Sequence, residues 1–301
     1  MSAVSRVPAG TGVRGGQFAA TTHPETDVGV SHPEPSVDQQ RIDDLDSWVA
    51  TWRQSKDATS RLSLVLMGTQ LRKEFPSARY LRLENSDQGE YMVAAEVTDA
   101  GENTVSLDLG DLEVEGTGLC VDNLASYLDT VGDGWGDIEI DRDGQVDLDV
   151  LAQVKVPDGP DGTPAPDAAA AFDAWSRVYR STDDGLADAS LRVVAADLGA
   201  RYPQARYLEL TESDQGEYMG AGDLLDSRGE LLVTEIGSDE VPGVNSDIDT
   251  LIGGLDSEGT GWRQYLAEDS VDRLDLARCA QIPRSAPMID PGISGYVRVA
   301  P

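Results

Sequence analysis

The sequence predicts an α+β protein made of two tandem copies of one small domain. Three observations carry that expectation. The heptapeptide SDQGEYM occurs at 86–92 and again at 213–219, 127 positions later. Around it, 75–92 and 202–219 agree at 13 of 18 positions without a gap, which is too long a match for a coincidence of composition. Each copy follows a stretch of helical periodicity and precedes alternating, strand-like patterning, the mark of helices laid on an antiparallel sheet. The 301 residues suit two such units, each large enough to bury a core without a metal or a disulfide.

Residues 1–35 are rich in Gly, Pro, Ser and Thr without periodicity and read as a disordered tail. Gly10, Gly12 and Gly15 have dinucleotide-loop spacing. That chemistry needs a strand before the glycines and a helix after them. Pro8 and Pro24 flank the stretch instead, so no nucleotide site is read there.

Unit 1 spans 36–151. Ser36 and Gln39 form a capping box for a first helix striped by Leu45, Trp48, Val49 and Trp52. A second helix carries Leu64, Met67, Leu71 and Phe75 and stops at Pro76. Unit 2, 168–280, repeats these as Phe172, Trp175, Ser176 and Tyr179, then Leu191, Val194, Leu198 and Tyr202 before Pro203. A strand at 79–84 turns Leu81 and Leu83 inward, matched by Leu208 and Leu210. SDQG then turns the chain into a returning strand, 90–98. The next corner, 99–103, contains Gly101; its partner, with Gly229, reads as one residue longer.

The segments 105–118 and 231–246 differ most and read as strand followed by loop. Val121, Leu124 and Leu128 then stripe a helix, as do Ile248, Leu251 and Leu255. Trp135 and Trp262, each after a glycine, are read as core plugs. Each unit closes in alternating strands, VDLDV at 146–150 and RLDLA at 273–277. The order per unit is helix, helix, strand, strand, strand, helix, strand. Residues 152–167 form a Pro/Gly linker. Residues 281–301 form a C-terminal tail whose YVRV can add an edge strand.

The stretch RVPAGTGVRGGQFAA resembles a short N-terminal peptide, of RVPAG–GGQFA type, found on otherwise unrelated proteins of actinobacteria and their phages. It carries two cations, Arg6 and Arg14, and an aromatic anchor, Phe18. The acidic α+β pattern around YLRL-x-x-SDQGEYM, with its downstream Gly-Trp, resembles uncharacterised acidic proteins of high-GC Gram-positive bacteria and their phages. That resemblance covers roughly 40–150 and 168–280. It implies lineage and no particular chemistry.

Charge narrows the functional classes. The 55 acids (37 Asp, 18 Glu) outnumber the 23 bases (20 Arg, 3 Lys), a net of −32. Direct nucleic-acid binding and anionic membranes are excluded on electrostatic grounds. A basic or DNA-binding protein is the partner such a surface attracts. A GC-rich genome or a salty cytoplasm accounts for the same bias. No apolar leader and no run of about 18 apolar residues is present, so the reading is cytoplasmic with no membrane. Cys120 and Cys279 do not match under the repeat and read as buried thiols in a reducing compartment.

The only histidines, His23 and His32, lie in the tail, so neither unit alone can build a Ser–His–Asp, Cys–His or His–zinc arrangement. Carboxylate pairs are too common here to single out. In 139–150, Asp141, Asp143, Gly144 and Asp147 echo a calcium loop, but its first and twelfth ligand positions fall on Glu139 and Val150. A β-hairpin turned at 142–144 explains the same letters. A turn needs the Asp and Gly of SDQGEYM; it does not need Gln, Glu and Tyr kept as well. Asp87, Gln88, Glu90 and Tyr91, with Asp214, Gln215, Glu217 and Tyr218, are therefore the candidate protein contact, presented twice. The expectation is a non-enzymatic interaction protein without cofactor or metal. The alternatives are a DNA mimic that occupies a nuclease or other DNA-binding protein, and a carboxylate- or metal-dependent hydrolase.

Overall fold

The first helix is twice as long as its pattern suggests. The computed structural model describes residues 37–86, 91–128, 145–212, 219–255, 261–285 and 287. In chain order its elements are α1 (Gln39–Glu74), β1 (Tyr80–Asn85), β2 (Met92–Thr98), β3 (Thr104–Ser106), β4 (Glu113–Val114), β5 (Leu119–Cys120), α2 (Val121–Ala125), β6 (Gln145–Asp147) and α3 (Leu148–Leu151). They continue with α4 (Ala168–Arg201), β7 (Ala205–Glu212), β8 (Met219–Asp226), β9 (Leu231–Val233), α5 (Ile248–Ile252), β10 (Arg273–Asp275) and α6 (Leu276–Cys279), with 3-10 turns at Ile236–Ser238 and Trp262–Tyr265.

The two helices expected in each unit are one. No Pro or Gly interrupts 39–67, so nothing in the backbone breaks α1. The polar stretch between its apolar stripes is not a loop but a buried crossing: Ser55, Thr59, Ser60 and Ser63 are all essentially inaccessible. Thr51 and Thr59 donate their hydroxyls to the carbonyls of Ser47 and Ser55, at 2.9 and 2.8 Å, so burial leaves those groups satisfied. The N-cap of α1 is Asp38, which accepts from the Arg41 amide at 3.0 Å; Ser36, the expected cap, lies outside the described residues. Phe75 and Tyr202 end the long helices, their amides donating to Leu71 and Leu198 at 2.8 Å, with Pro76 and Pro203 following.

The expected mixed α+β architecture with antiparallel sheets is present. One four-stranded sheet runs β3-β2-β1-β6, a second runs β9-β8-β7-β10, and β4 and β5 form a two-stranded sheet. Leu81 sits between Val97 and Val146, and Leu208 between Leu224 and Leu274. The two corners after β2 and β8 are equal in length, contrary to the expected extra residue. Asp99 pairs its amide with the Asn103 carbonyl and Asp226 with that of Glu230. The left-handed position is Glu102 (φ 60°) in one and Gly229 (φ 76°) in the other, so Gly101 is not the equivalent of Gly229. The dissimilar middles also converge: Glu113 pairs with Cys120, and Glu240 bridges Asp247, both at the same offset of 127.

The closing segments are only half strand. After β6 and β10 the chain turns into the single-turn helices α3 and α6. Asp147 and Asp275 cap them, accepting from the amides of Asp149 (2.7 Å) and Ala277 (3.0 Å). Arg79 and Arg206 hold these same carboxylates, each at 2.6 Å. The offset here is 128, so the later half has one residue more between 255 and 273 than the first half has between 128 and 145.

The cores are shared in an exchanged way. One core gathers Leu62, Leu64, Met67 and Leu71 with Leu81, Val97 and Val146, and takes in Phe172 and Trp175 from the start of α4. The other gathers Leu191, Val194 and Leu198 with Leu208 and Leu274, and takes in Ile42, Leu45 and Trp48 from the start of α1. Each long helix therefore serves its own sheet with its second half and the opposite sheet with its first. Burying each such large side chain is worth about 1.5–3 kcal/mol. At the crossing, equivalent residues touch: Trp52 and Tyr179 rings lie 6.2 Å apart, and Ser55 and Thr182 hydroxyls 3.4 Å apart. Contact between equivalent positions is the mark of a twofold axis. The indole of Trp48 donates to the Ser285 carbonyl (3.1 Å) and that of Trp175 to the Asp158 carbonyl (2.9 Å), again 127 positions apart on both sides. Val154, Val156 and Ala165, from the Pro-rich stretch, pack on the first core, and Ile282 is buried in the second.

Candidate functional site

The repeated hairpins rest on a fixed base. The Ser86 amide donates to the Tyr91 carbonyl at 2.8 Å, and Met92 pairs with Asn85, as Met219 pairs with Glu212. Both methionines are buried, and their amides donate to the carbonyls of Leu128 (2.9 Å) and Leu255 (3.3 Å). Behind each hairpin an aspartate braces the strand: Asp122 accepts from the Ala94 amide, and Asp249 from that of Ala221 at 2.7 Å. Gly110 and Gly237 make room for these carboxylates, since a Cβ at either would overlap the aspartate. Tyr91 is 37% exposed beside the first tip. Asp87, Gln88, Glu90, Asp214, Gln215, Glu217 and Tyr218 lie outside the described residues.

Chemistry-bearing residues that the sequence reading passed over meet inside the second core. Asp44, 4% exposed, accepts two hydrogen bonds from Arg284, Nε at 2.7 Å and Nη2 at 2.6 Å. Arg192, 3% exposed, brings Nη1 to 3.7 Å from the same carboxylate. The nitrogens of the Arg192 guanidinium make no hydrogen bond among the described residues, so charge alone compensates it. Burial pulls this guanidinium below its ordinary pKa, opposed by Asp44 and Asp188. Tyr265 donates to Asp188 at 2.9 Å. Burial raises the Asp188 carboxyl and the Tyr265 phenol. The signal was present in the letters: Asp44 interrupts an apolar stripe, and Arg192 sits between Leu191 and Val193 on a buried face.

The positions equivalent to Asp44 and Arg192 are Ala171 and Val65, so this cluster occurs in one core only. It joins α1 to α4 and to the segment after α6. The carboxylates neutralise the guanidiniums, which suits a lock between segments better than a binding pocket.

Elsewhere, a cavity of about 420 Å³ is lined by Glu240, Val244, Asn245, Ser246, Asp247 and Thr250. Asp247 is already committed as the N-cap of α5, accepting from the Thr250 amide at 2.7 Å; hydrogen bonds from Thr250 hold its carboxyl below the usual range. In the calcium-like stretch, 139–144 lie outside the described residues, and Asp147 is taken by its cap and by Arg79. Among the described residues no group of three or more His, Cys, Asp or Glu is placed to hold a metal ion. Trp262 is buried in the second core, as expected; Trp135 lies outside the described residues.

The two thiols differ sharply. Cys279 is fully buried, and burial pushes its thiol up to about 12, whereas Cys120 is half-buried beside Asn123. A thiol titration at pH 8 is expected to count Cys120 alone in the native protein and both cysteines after denaturation. Rapid native reaction of Cys279 would contradict this packing.

No family model matches the chain, and comparison with curated proteins and with solved structures found no match. Among the described residues no helix is long and apolar enough to cross a membrane.

Proposed function

We propose that this chain is a non-catalytic, acidic interaction protein of the cytoplasm, built by tandem duplication of one α+β unit and bound by a basic protein. The single observation that carries the reading is how its few cations are used. Arg79, Arg192, Arg201, Arg206 and Arg273 are drawn into internal ion pairs that hold caps, helix ends and strands together. With a net charge of −32, the excess carboxylates are left for the surface. The duplication is supported by the matching strand order, by the paired aspartate braces and by the equivalent contacts at the helix crossing. The unpaired cysteines support a reducing compartment.

The contact surface belongs to the two SDQGEYM hairpins, whose bases are held to α2 and α5 by the same bonds in each half. A rigid base lowers the ordering cost of binding at the tip. Capture from native lysate on the immobilised protein tests this. A basic partner is expected to elute at moderate salt and to be lost when Tyr91 and Tyr218 are both replaced by alanine. A partner that is retained by the double variant, or the lack of any salt-eluted partner, would contradict the reading.

A further inference from the structure

We propose that the buried charges at the helix exchange form a pairing code, making each half of the chain complementary to the other half and poorly complementary to a second copy of itself. The exchange leaves each core open unless it receives the first half of the opposite long helix. The residues on the crossing axis do not discriminate, since Ser55 and Thr182, or Trp52 and Tyr179, can each meet their own kind. The charges do discriminate. Asp44 belongs to the first half and is 4% exposed; Arg192, 3% exposed, and Arg284 belong to the second.

Two copies of the first half would place Asp44 against Val65 and Pro157, the equivalents of Arg192 and Arg284. A carboxylate would then be buried without a cation. Two copies of the second half would place Arg192 against Ala171, the equivalent of Asp44, and leave the buried guanidinium with Asp188 of its own helix but without the Asp44 carboxylate. Only the mixed pair brings both charges together. Removing one partner of a buried pair is strongly unfavourable, so the mixed pair is favoured by about 100-fold or more. This holds whether or not the surface binds a basic protein.

The test starts from the folded full-length chain with a protease site inserted in the exposed stretch 161–163, between α3 and α4. After cleavage the fragments are expected to keep the native mass of the intact protein and to part only in denaturant. Refolding an equimolar mixture is expected to return the mixed pair in about 100-fold excess over like pairs. In D44A/R192V, which removes both buried charges, the excess falls toward the statistical ratio. Fragments that separate as folded monomers after cleavage would overturn the proposal, as would wild-type like pairs at statistical abundance. If refolding is inefficient, light and heavy nicked proteins are mixed natively and the exchanged species weighed. Mixed pairs alone are expected there, and like pairs in statistical amounts would again overturn it.

Discussion

Replacing Asp44 with alanine is expected to cost about 3–5 kcal/mol of stability, although the residue lies near the start of the first helix. The reason is what stays behind. Arg284 has 45% of its side chain accessible and can turn outward when its partner goes. Arg192, at 3% exposure, cannot, and its buried guanidinium loses the Asp44 charge and keeps only that of Asp188. The loss therefore belongs to the buried, poorly compensated charge rather than to the deleted bonds. Replacing Arg192 with methionine alongside D44A should return much of the stability, because an apolar side chain of similar length needs no counter-ion. Denaturant unfolding of the single and double variants measures the coupling directly. A D44A variant as stable as the parent would show that the three charges are not packed as described.

Trp48→Ala is expected to cost a similar amount, about 3–5 kcal/mol, for a different reason. The indole is 5% exposed, fills the core of the opposite sheet and is pinned by its bond to the Ser285 carbonyl. It lies directly over Gly185, where a Cβ would overlap the ring. A mid-helix glycine ordinarily costs about 1 kcal/mol relative to alanine. Here G185A should destabilise despite its better helix propensity, since overpacking costs about 1–3 kcal/mol. Shortening the tryptophan to leucine should make room and reverse the sign of G185A. If G185A stabilises the otherwise unchanged protein, the helix crossing is looser than the structure places it.

Much of the fold was legible in the sequence because burial leaves a period. Leu64, Met67 and Leu71 are all fully inaccessible, as are their equivalents to within 1%. Leu81 and Leu83 point inward on β1 as alternation requires. The Asp99 corner follows from its chemistry, with the carboxylate accepting from the amides of Gly101 (2.8 Å) and Asn103 (2.9 Å). What misled was a polar interval read as the boundary between two helices. Periodicity reports which face of a helix is buried, not against what, so two stripes serving two different cores look like two helices. Hydroxyl side chains that bond their own helix carbonyls erase the apolar signal at the crossing. The same blindness hid the exchange, since no single-helix pattern says that Trp48 enters the core of the second sheet and Trp175 that of the first. The single-turn helices α3 and α6 were missed although Asp147 and Asp275 announce them as caps. For the candidate contact, Tyr91 is the residue the structure places, at the edge of a base whose methionine and aspartate bonds recur 127 positions later.

Differential scanning calorimetry of the intact chain, beside D44A and W175A, tests the exchanged core most directly. Because each sheet is completed by the other half's helix, a single transition is predicted, with calorimetric and van't Hoff enthalpies equal. Both variants should lower that same transition, although Asp44 lies in the second core and Trp175 in the first. Two separable transitions, one moved only by D44A and the other only by W175A, would contradict it.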